Sequence, residues 1–247
     1  MWDKVDRTGE ENINNQGEQM VIIYYQNAND ITVFFKDTQT TKRCAYKEFK
    51  NGSVKDNFYP SVFGIGYIGN TTVSEGNRVV KKSYKIWEEI LKRCYVYTEQ
   101  NPSYKDCVIC DEWLCYANFE KWYKENYYEI PNERMHLDKD ILIKGNKLYS
   151  PETCIFVPQR INALFTKRDT KRGKYPIGVT FSNKANKYEP QVQGRKWLGY
   201  FDNPYEAFLI YKKEKELRIK EIADEYKDKI PQKLYNAMYS YEVEITD

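Results

Sequence analysis

Residues 136–162 contain side chains that can hold a cation and move a proton. A strand-forming run ends at Asp138, a glycine–asparagine loop follows, and the next predicted helix carries Asn162. Carboxylate and amide oxygens are ligands of hard divalent cations such as Mg²⁺, and a bound cation can activate water or stabilise a phosphate. His136 is the chain's single histidine, and on a strand it faces the same side as Asp138. This layout predicts a one-metal hydrolytic site in which His136 is one candidate for the base.

The elements around these residues belong to an ordinary globular chain. Its 247 residues can bury a core, and 41% of them are hydrophobic and 16% aromatic, which argues against disorder. No apolar run reaches the roughly 18 residues of a membrane span, and the start of the chain lacks a signal-peptide pattern. Six cysteines in a chain of this size indicate reduced thiols. We expect a cytoplasmic protein with no membrane partner.

The first 75 residues predict a small β module, with a partly open barrel as one form of it. Residues 20–25 and 30–35 are β-branched and aromatic runs on either side of a turn, and residues 46–49 continue the pattern. The glycines at positions 64, 66 and 69 have the spacing of a nucleotide-binding loop. They lack its strand-to-helix context, so they indicate a bend in the barrel. The module is either a DNA-backbone or partner-binding accessory or a plain structural unit.

The rest of the chain predicts helices, then the 136–162 element, then a sheet and a long helix. Residues 86–94 have a helical apolar face, and a second helix opens at the Asn118 cap. Residues 177–181, 187–192 and 196–201 predict three strands, after which Asn203-Pro204 starts a helix to about Tyr226. The fold class is α+β, with a β-rich N-terminal module at 1–75, a central domain at 76–170 and a three-stranded sheet packed on a long helix at 171–247.

Positive charge is concentrated beside the candidate site. Residues 160–220 carry 15 Lys and Arg against 6 Asp and Glu, whereas residues 1–80 carry 9 against 10. A local surplus of this size predicts a surface that faces a polyanion, with a solubilising surface as the alternative. The basic residues that begin this stretch are Arg160, Lys167, Arg168, Lys171, Arg172, Lys174, Lys184 and Lys187.

Several spaced motifs in the middle of the chain carry a family resemblance. Leu137-Asp138-Lys139-Asp140, Gly145-Asn146 and residues 149–154 (Tyr-Ser-Pro-Glu-Thr-Cys) resemble a Leu-Asp-Arg-Ile-Asp, Gly-Asn-Tyr, Ser-Pro-Glu-Asn-Cys signature. That signature occurs in phage-encoded relatives of the HNH, or His-Me finger, homing endonucleases. The resemblance implies a ββα-metal element, in which two strands and a helix surround one divalent cation.

The resemblance also implies roles for single residues. Asp138 matches the acid that binds the metal, and Asn162 matches the amide that binds it. Lys139 stands at the general-base position, where active enzymes of the class have histidine. A solvated lysine is protonated at neutral pH and cannot accept a proton, so His136 is the alternative base, and Lys139 could instead bind the scissile phosphate.

The C-terminal part resembles the DNA-binding domain of plant ethylene-response factors, a module that phage homing nucleases also carry. The resemblance is carried by Gly178-Val179, Lys187-Tyr188 and residues 197–201 (Trp-Leu-Gly-Tyr-Phe), followed by Glu206-Ala207 and Tyr211. It implies that the three-stranded sheet enters the major groove while the helix packs behind it. The DNA contacts that it implies are Lys184, Lys187, Tyr188, Arg195 and Trp197, with core packing as the alternative for the two aromatic residues.

The cysteines indicate a core instead of a metal site. Cys107 and Cys110 form a single CxxC pair, and a structural Zn²⁺ would need two further ligands. We therefore expect free thiols and no zinc.

Together these patterns predict two kinds of function. One is a phage or prophage DNA-binding protein of the HNH homing-endonuclease type, which hydrolyses duplex DNA with Mg²⁺ or a similar divalent cation if it is active. The other is a catalytically degenerate relative that binds DNA or a host defence protein as a regulator or inhibitor. Lys139 at the base position favours the second, and a protein partner with an acidic surface is a further alternative.

Overall fold

A computed structural model describes residues 5–97, 104–166 and 174–247. Within these ranges the protein is a mixed α+β structure with several small sheets. Its internal contacts divide the chain into two compact units, Met1–Asn126 with Lys147–Pro151 and Tyr127–Asn146 with Glu152–Asp247. The division into three domains at 1–75, 76–170 and 171–247 stays a prediction. None of the helices in the described ranges has both the length and the apolarity to cross a bilayer.

The N-terminal sheet has four antiparallel strands in sequential order. Alternation along the strands buries Ile31, Val33 and Phe35 on one face, where they pack with Met20 and Ile22. The predicted strands at 20–25 and 30–35 are confirmed. The elements are β1 (Glu11–Ile13), β2 (Gln19–Asn27), β3 (Asp30–Phe35), β4 (Thr40–Cys44) and α1 (Tyr46–Lys50).

The prediction that residues 46–49 continue the strand pattern was wrong, because they form α1. The Glu48 carboxylate accepts a hydrogen bond from the backbone N–H of Ala45 at 2.9 Å, as in a capping box. Phe49 is buried against the sheet. Four residues with two aromatics fit a strand and a helical turn equally well by periodicity, and here the capping interaction accompanies the helix.

The middle of the first unit is helical and aromatic. Trp87 and Trp113 are fully buried, and the Trp87 indole N–H donates to the Trp113 carbonyl at 2.6 Å. Gly66 packs on Trp87, because a Cβ at this position would lie 2.9 Å from the indole ring. The elements here are β5 (Ser74–Glu75), β6 (Val79–Val80), α2 (Lys82–Tyr95), β7 (Val108–Ile109), α3 (Asp111–Leu114) and α4 (Tyr116–Asn126), with a 3₁₀ turn at Gly76–Arg78 between β5 and β6.

The second predicted helix begins earlier than expected. It starts at Tyr116 instead of after Asn118, and the Asn118 side chain donates to the Glu112 carbonyl at 3.0 Å. Asn118 therefore links α4 to α3, and its role as the helix N-cap was a wrong prediction.

The candidate site lies on an antiparallel strand pair followed by a helix. β8 pairs with β10, and α5 packs against both strands. β9 lies between them in sequence but belongs to the first unit, where it pairs in parallel with β7. The elements are β8 (Met135–Asp138), β9 (Leu148–Tyr149), β10 (Ile155–Pro158) and α5 (Gln159–Phe165).

The C-terminal part is a small sheet backed by a long helix. The Asn203 side chain accepts from the backbone N–H of Tyr205 at 2.8 Å and caps the helix, with Pro204 at its first position. This helix start and its end at Tyr226 confirm the prediction. The elements are β11 (Val179–Ser182), β12 (Lys187–Pro190), α6 (Pro204–Tyr226) and α7 (Gln232–Tyr239).

The predicted third strand at 196–201 is reduced to one bridge. Tyr188 and Phe201 exchange two backbone hydrogen bonds of 2.8 Å, and no longer ladder is present among the described residues of this segment. Gly199 has a φ of +107°, which interrupts the extended backbone. The predicted three-stranded sheet is therefore a two-stranded sheet with a bridged segment at its edge.

Candidate functional site

The register of β8 places His136 and Asp138 on one face of the strand pair. His136 lies opposite Val157, and Asp138 lies opposite Ile155. Cross-strand partners share a face. Ile155 and Val157 belong to the buried cluster that also contains Ile161 of α5, so this face is turned toward the helix.

Asp138 closes the turn that follows β8. Its Oδ1 accepts from the backbone N–H groups of Asp140 at 2.9 Å and Ile141 at 2.7 Å. Burial, assisted by the neighbouring Asp140 carboxylate, raises the pKa of Asp138 to about 6 against the opposing effect of the two backbone N–H groups. A carboxyl group with this pKa changes its protonation state near neutral pH, which suits either proton transfer or pH-dependent cation binding.

Lys139 takes part in the structure of the loop. Its side chain is buried, and Nζ donates to the Asn146 carbonyl at 3.0 Å. In return, Nδ2 of Asn146 donates to the Lys139 carbonyl at 2.7 Å. The Asp140 carboxylate lies 3.4 Å from Nζ. These contacts hold the two ends of the 139–146 loop together, and the catalytic role of Lys139 stays a prediction.

Asn162 is half-buried on α5, the helix that packs against β8 and β10. The backbone carbonyl of Asn162 accepts a hydrogen bond from the Thr166 hydroxyl at 3.0 Å. The described residues contain no group of three or more His, Cys, Asp or Glu side chains that could hold a metal ion. A cation here would have Asp138 and Asn162 as protein ligands with water as the remainder, a donor set that suits Mg²⁺.

The basic residues predicted on and directly after α5 fall into two groups. Arg160 forms an ion pair with Glu225 of α6 at 2.6 Å, and its guanidinium lies 5.7 Å from the Tyr226 ring centroid. Arg160 thus links α5 to α6. The other group lies outside the described residues and comprises Lys167, Arg168, Lys171 and Arg172.

Tyr188 lies on the core side of the C-terminal sheet. Its ring packs 5.1 Å from those of Tyr175 and Phe181, in the cluster that contains Phe208 and Tyr211 of α6. The structure therefore favours the core alternative for this tyrosine.

The opposite side of the sheet is aromatic and basic. Side chains alternate along extended backbone, so Lys187 and Tyr200, the neighbours of the bridged pair Tyr188 and Phe201, point away from α6. The Trp197 ring contacts the Tyr200 ring with centroids 5.3 Å apart. Trp197 is 65% exposed and Tyr200 43%. We refer to this surface as the outer face. Its members are Lys187, Trp197 and Tyr200, together with Lys184 of the turn between β11 and β12.

Charge on the outer face is partly compensated. Lys187 forms an ion pair with Asp202 at 3.1 Å, and Glu189 shares its side of β12. Lys184 is exposed in the turn between β11 and β12. A phosphate would meet Lys184 directly and would compete with Asp202 for Lys187.

Arg195 is held against α6. Its Nη2 donates to Glu221 at 2.7 Å, and its Nε lies 3.2 Å from Glu214. The hydrogen bond to Glu221 raises the pKa of Arg195. Guanine recognition by Arg195 stays a prediction, and it would require the guanidinium to exchange these carboxylates for a base.

Sequence reasoning had missed two features of this region. Tyr200 was predicted only as part of a fold motif, although alternation with the partly buried Phe201 places Tyr200 on the exposed side. Residues 241–247 carry no recognisable motif, yet they contact Lys144 in the 139–146 loop. An isolated acidic segment gives no indication of which lysine it will meet.

Comparison with family models, with curated proteins and with solved structures finds no match to this chain.

Proposed function

We propose that the protein binds duplex DNA through the outer face and is built on the plan of the phage HNH homing endonucleases. The observation that carries this proposal is the exposure of Trp197, whose ring contacts that of Tyr200, on the side of the sheet that also carries Lys187. A tryptophan that is 65% exposed gains little from folding, whereas it has apolar area to bury against a ligand. Exposed aromatic rings on a basic module suit a nucleic acid, because the rings contact bases or sugars while the ammonium groups bind phosphates.

The resemblance to the ethylene-response-factor domain supports the same surface. It implies a sheet in the major groove with a helix behind, and the described module has α6 on one side of its sheet and the outer face on the other. The basic surplus of residues 160–220 would attract the DNA and make its binding dependent on salt.

The test is a mobility-shift titration of duplex DNA at several NaCl concentrations. We expect Lys184→Glu to weaken binding and to reduce the slope of log K against log salt by about 0.9, the effect of one lost phosphate contact. Trp197→Ala should weaken binding with little change in that slope. Lys213→Glu is the matched control, because Lys213 is an exposed lysine of α6.

Equal effects of Lys184→Glu and Lys213→Glu would contradict the proposal, since general charge would then explain the binding. A normal thermal unfolding curve for each variant would show that the comparison concerns the surface and not the fold.

Metal-dependent hydrolysis is the added activity in this proposal, supported by the shared face of His136 and Asp138. Asp138 and Asn162 would hold Mg²⁺, which stabilises the charge of a phosphate under attack. His136, placed on the same face, would take the proton from water. The alternative is a degenerate relative that binds DNA or a host defence protein as a regulator or inhibitor. The bonding of Lys139 to Asn146 favours this alternative.

Incubation with supercoiled plasmid in Mg²⁺, Mn²⁺ or EDTA distinguishes these two activities. An active enzyme should nick the plasmid only with metal, and Asp138→Ala should abolish nicking while leaving the mobility shift nearly intact. His136→Ala should abolish nicking if His136 is the base. A salt-sensitive shift without nicking in either metal would support the degenerate relative.

A further inference from the structure

Residues 241–247 form an acidic segment that is anchored on the C-terminal core, and we call it the strap. Val243 is buried beside Val179 and Phe208. Its backbone N–H donates to Glu216 at 2.8 Å, and its carbonyl accepts from Lys212 at 2.8 Å. These contacts hold the strap in a defined position along α6.

The strap encloses the ammonium group of Lys144. Nζ of Lys144 lies 2.7 Å from Oδ2 of Asp247 and 3.5 Å from the Glu244 carboxylate, and it donates to the Glu242 carbonyl at 3.0 Å. The Tyr241 ring centroid is 5.1 Å away. Two carboxylates therefore neutralise one lysine.

The Asp247 carboxylate is also positioned by a hydrogen bond from within the strap. Its Oδ2 also accepts from the backbone N–H of Glu244 at 2.9 Å, and its side chain is only 7% exposed. A buried, hydrogen-bonded carboxylate is a stronger partner for an ammonium group than a mobile surface one.

Lys144 belongs to the 139–146 loop, which directly follows Asp138. A phosphate that approaches this loop would meet a lysine already paired with carboxylates, and the additional charge of Glu242 would repel it. We propose that the strap is an internal competitor for polyanions, which keeps Lys144 from binding phosphate until the strap is displaced. This inference rests on the proposed binding of DNA.

The experiment compares two variants that remove the same charge from the strap. Asp247→Asn removes the carboxylate that contacts Lys144. Glu242→Gln removes the same charge from a different residue. In the described contacts Glu242 meets Lys144 through its backbone carbonyl, which this substitution keeps. Duplex DNA is titrated against the full chain at several salt concentrations.

We expect Asp247→Asn to bind about threefold to fivefold more tightly than Glu242→Gln, the upper end of what an ion pair with a partly exposed lysine contributes. Its salt slope should be steeper by about 0.9, one extra phosphate contact. Adding Lys144→Met to Asp247→Asn should remove both the gain in affinity and the increase in salt slope. Glu244→Gln, which leaves Asp247 and its hydrogen bonds in place, should change affinity in the same direction by less and guards against misfolding of Asp247→Asn.

The outcomes separate the strap from the proposed function. If Asp247→Asn and Glu242→Gln bind DNA with equal affinity, the competitor role of the strap is wrong, whereas the proposed DNA binding still holds. DNA binding that appears only in Asp247→Asn would strongly support the competitor role of the strap. If no variant binds DNA in low salt, the proposed function is wrong and the competitor role is wrong with it.

Discussion

At the scale of single residues, Lys139 and Asp138 show how adjacent positions can have different roles. Lys139 is engaged with Asn146 in the loop, whereas Asp138 lies on the strand face that is turned toward α5. The resemblance to the HNH class places Lys139 where active enzymes of that class have histidine, which suggested lost catalysis. The structure adds a physical reason to keep a lysine there, because its long side chain spans the loop.

Asp138 should make the stability of the protein depend on pH. Its pKa of about 6 is above the ordinary value of 3.8, so between these values the folded chain binds more protons than the unfolded chain. Stability should therefore fall as pH rises from about 4 to 6, by about 2 kcal/mol for a half-buried carboxyl group. Asp138→Asn keeps an oxygen for the two N–H groups and removes the charge, so this loss should disappear.

Urea unfolding at pH 4.5 and pH 7.5 measures this effect. Asp140→Asn is an informative companion, because removing the neighbouring negative charge should move the loss to lower pH without abolishing it. An unchanged pH dependence in Asp138→Asn would show that another group is responsible.

At the scale of elements, the sequence was most informative where a side chain has a single local role. The Asn203 cap with Pro204 predicted the start of α6, and alternation predicted β2 and β3. Residues 46–49 were ambiguous because so short an apolar run has no distinguishing period. The prediction of a third strand was wrong because no local sequence pattern indicated that the backbone of Gly199 would adopt a positive φ.

The candidate site was predictable to a similar degree. The strand period gave the shared face of His136 and Asp138. The partners of Lys139 and Arg195 depend on contacts over 7 and 26 residues, which no local pattern contains. α7 was missed for the same reason, since its buried Leu234 and Met238 pack on residues of distant elements.

Gly178 packs closely against Tyr211 of α6, directly before β11, and this contact can be tested by substitution. It has a φ of +71°, and a Cβ there would lie 2.1 Å from the Tyr211 ring. Gly178→Ala should therefore destabilise the protein by roughly 3 kcal/mol, through both backbone strain and overpacking. Thermal or urea unfolding measures the change.

Gly76→Ala is the control, because no atom lies within 4 Å of the added carbon. It should change stability by no more than about 0.5 kcal/mol. Equal effects of the two alanines would mean that the Tyr211 ring moves aside at little cost.

At the scale of the whole molecule, charge and exposed aromatic area coincide. Residues 160–220 have the basic surplus, and within them Trp197 and Tyr200 expose their rings. The strap belongs to the same compact unit and has the opposite charge. One unit therefore contains both the surface proposed for DNA and the acidic segment proposed to oppose it, so its affinity should depend on the balance between them.

The parallel pairing of β7 with β9 has a consequence for how the protein can be divided. Residues 147–151 belong to the first unit although the residues on both sides belong to the second, so the chain crosses between the units three times. A gene fragment that ends at residue 126 would lack β9 and leave the edge of β7 open. Neither unit is therefore encoded by one continuous stretch of sequence, so a single uninterrupted gene segment cannot supply either unit alone.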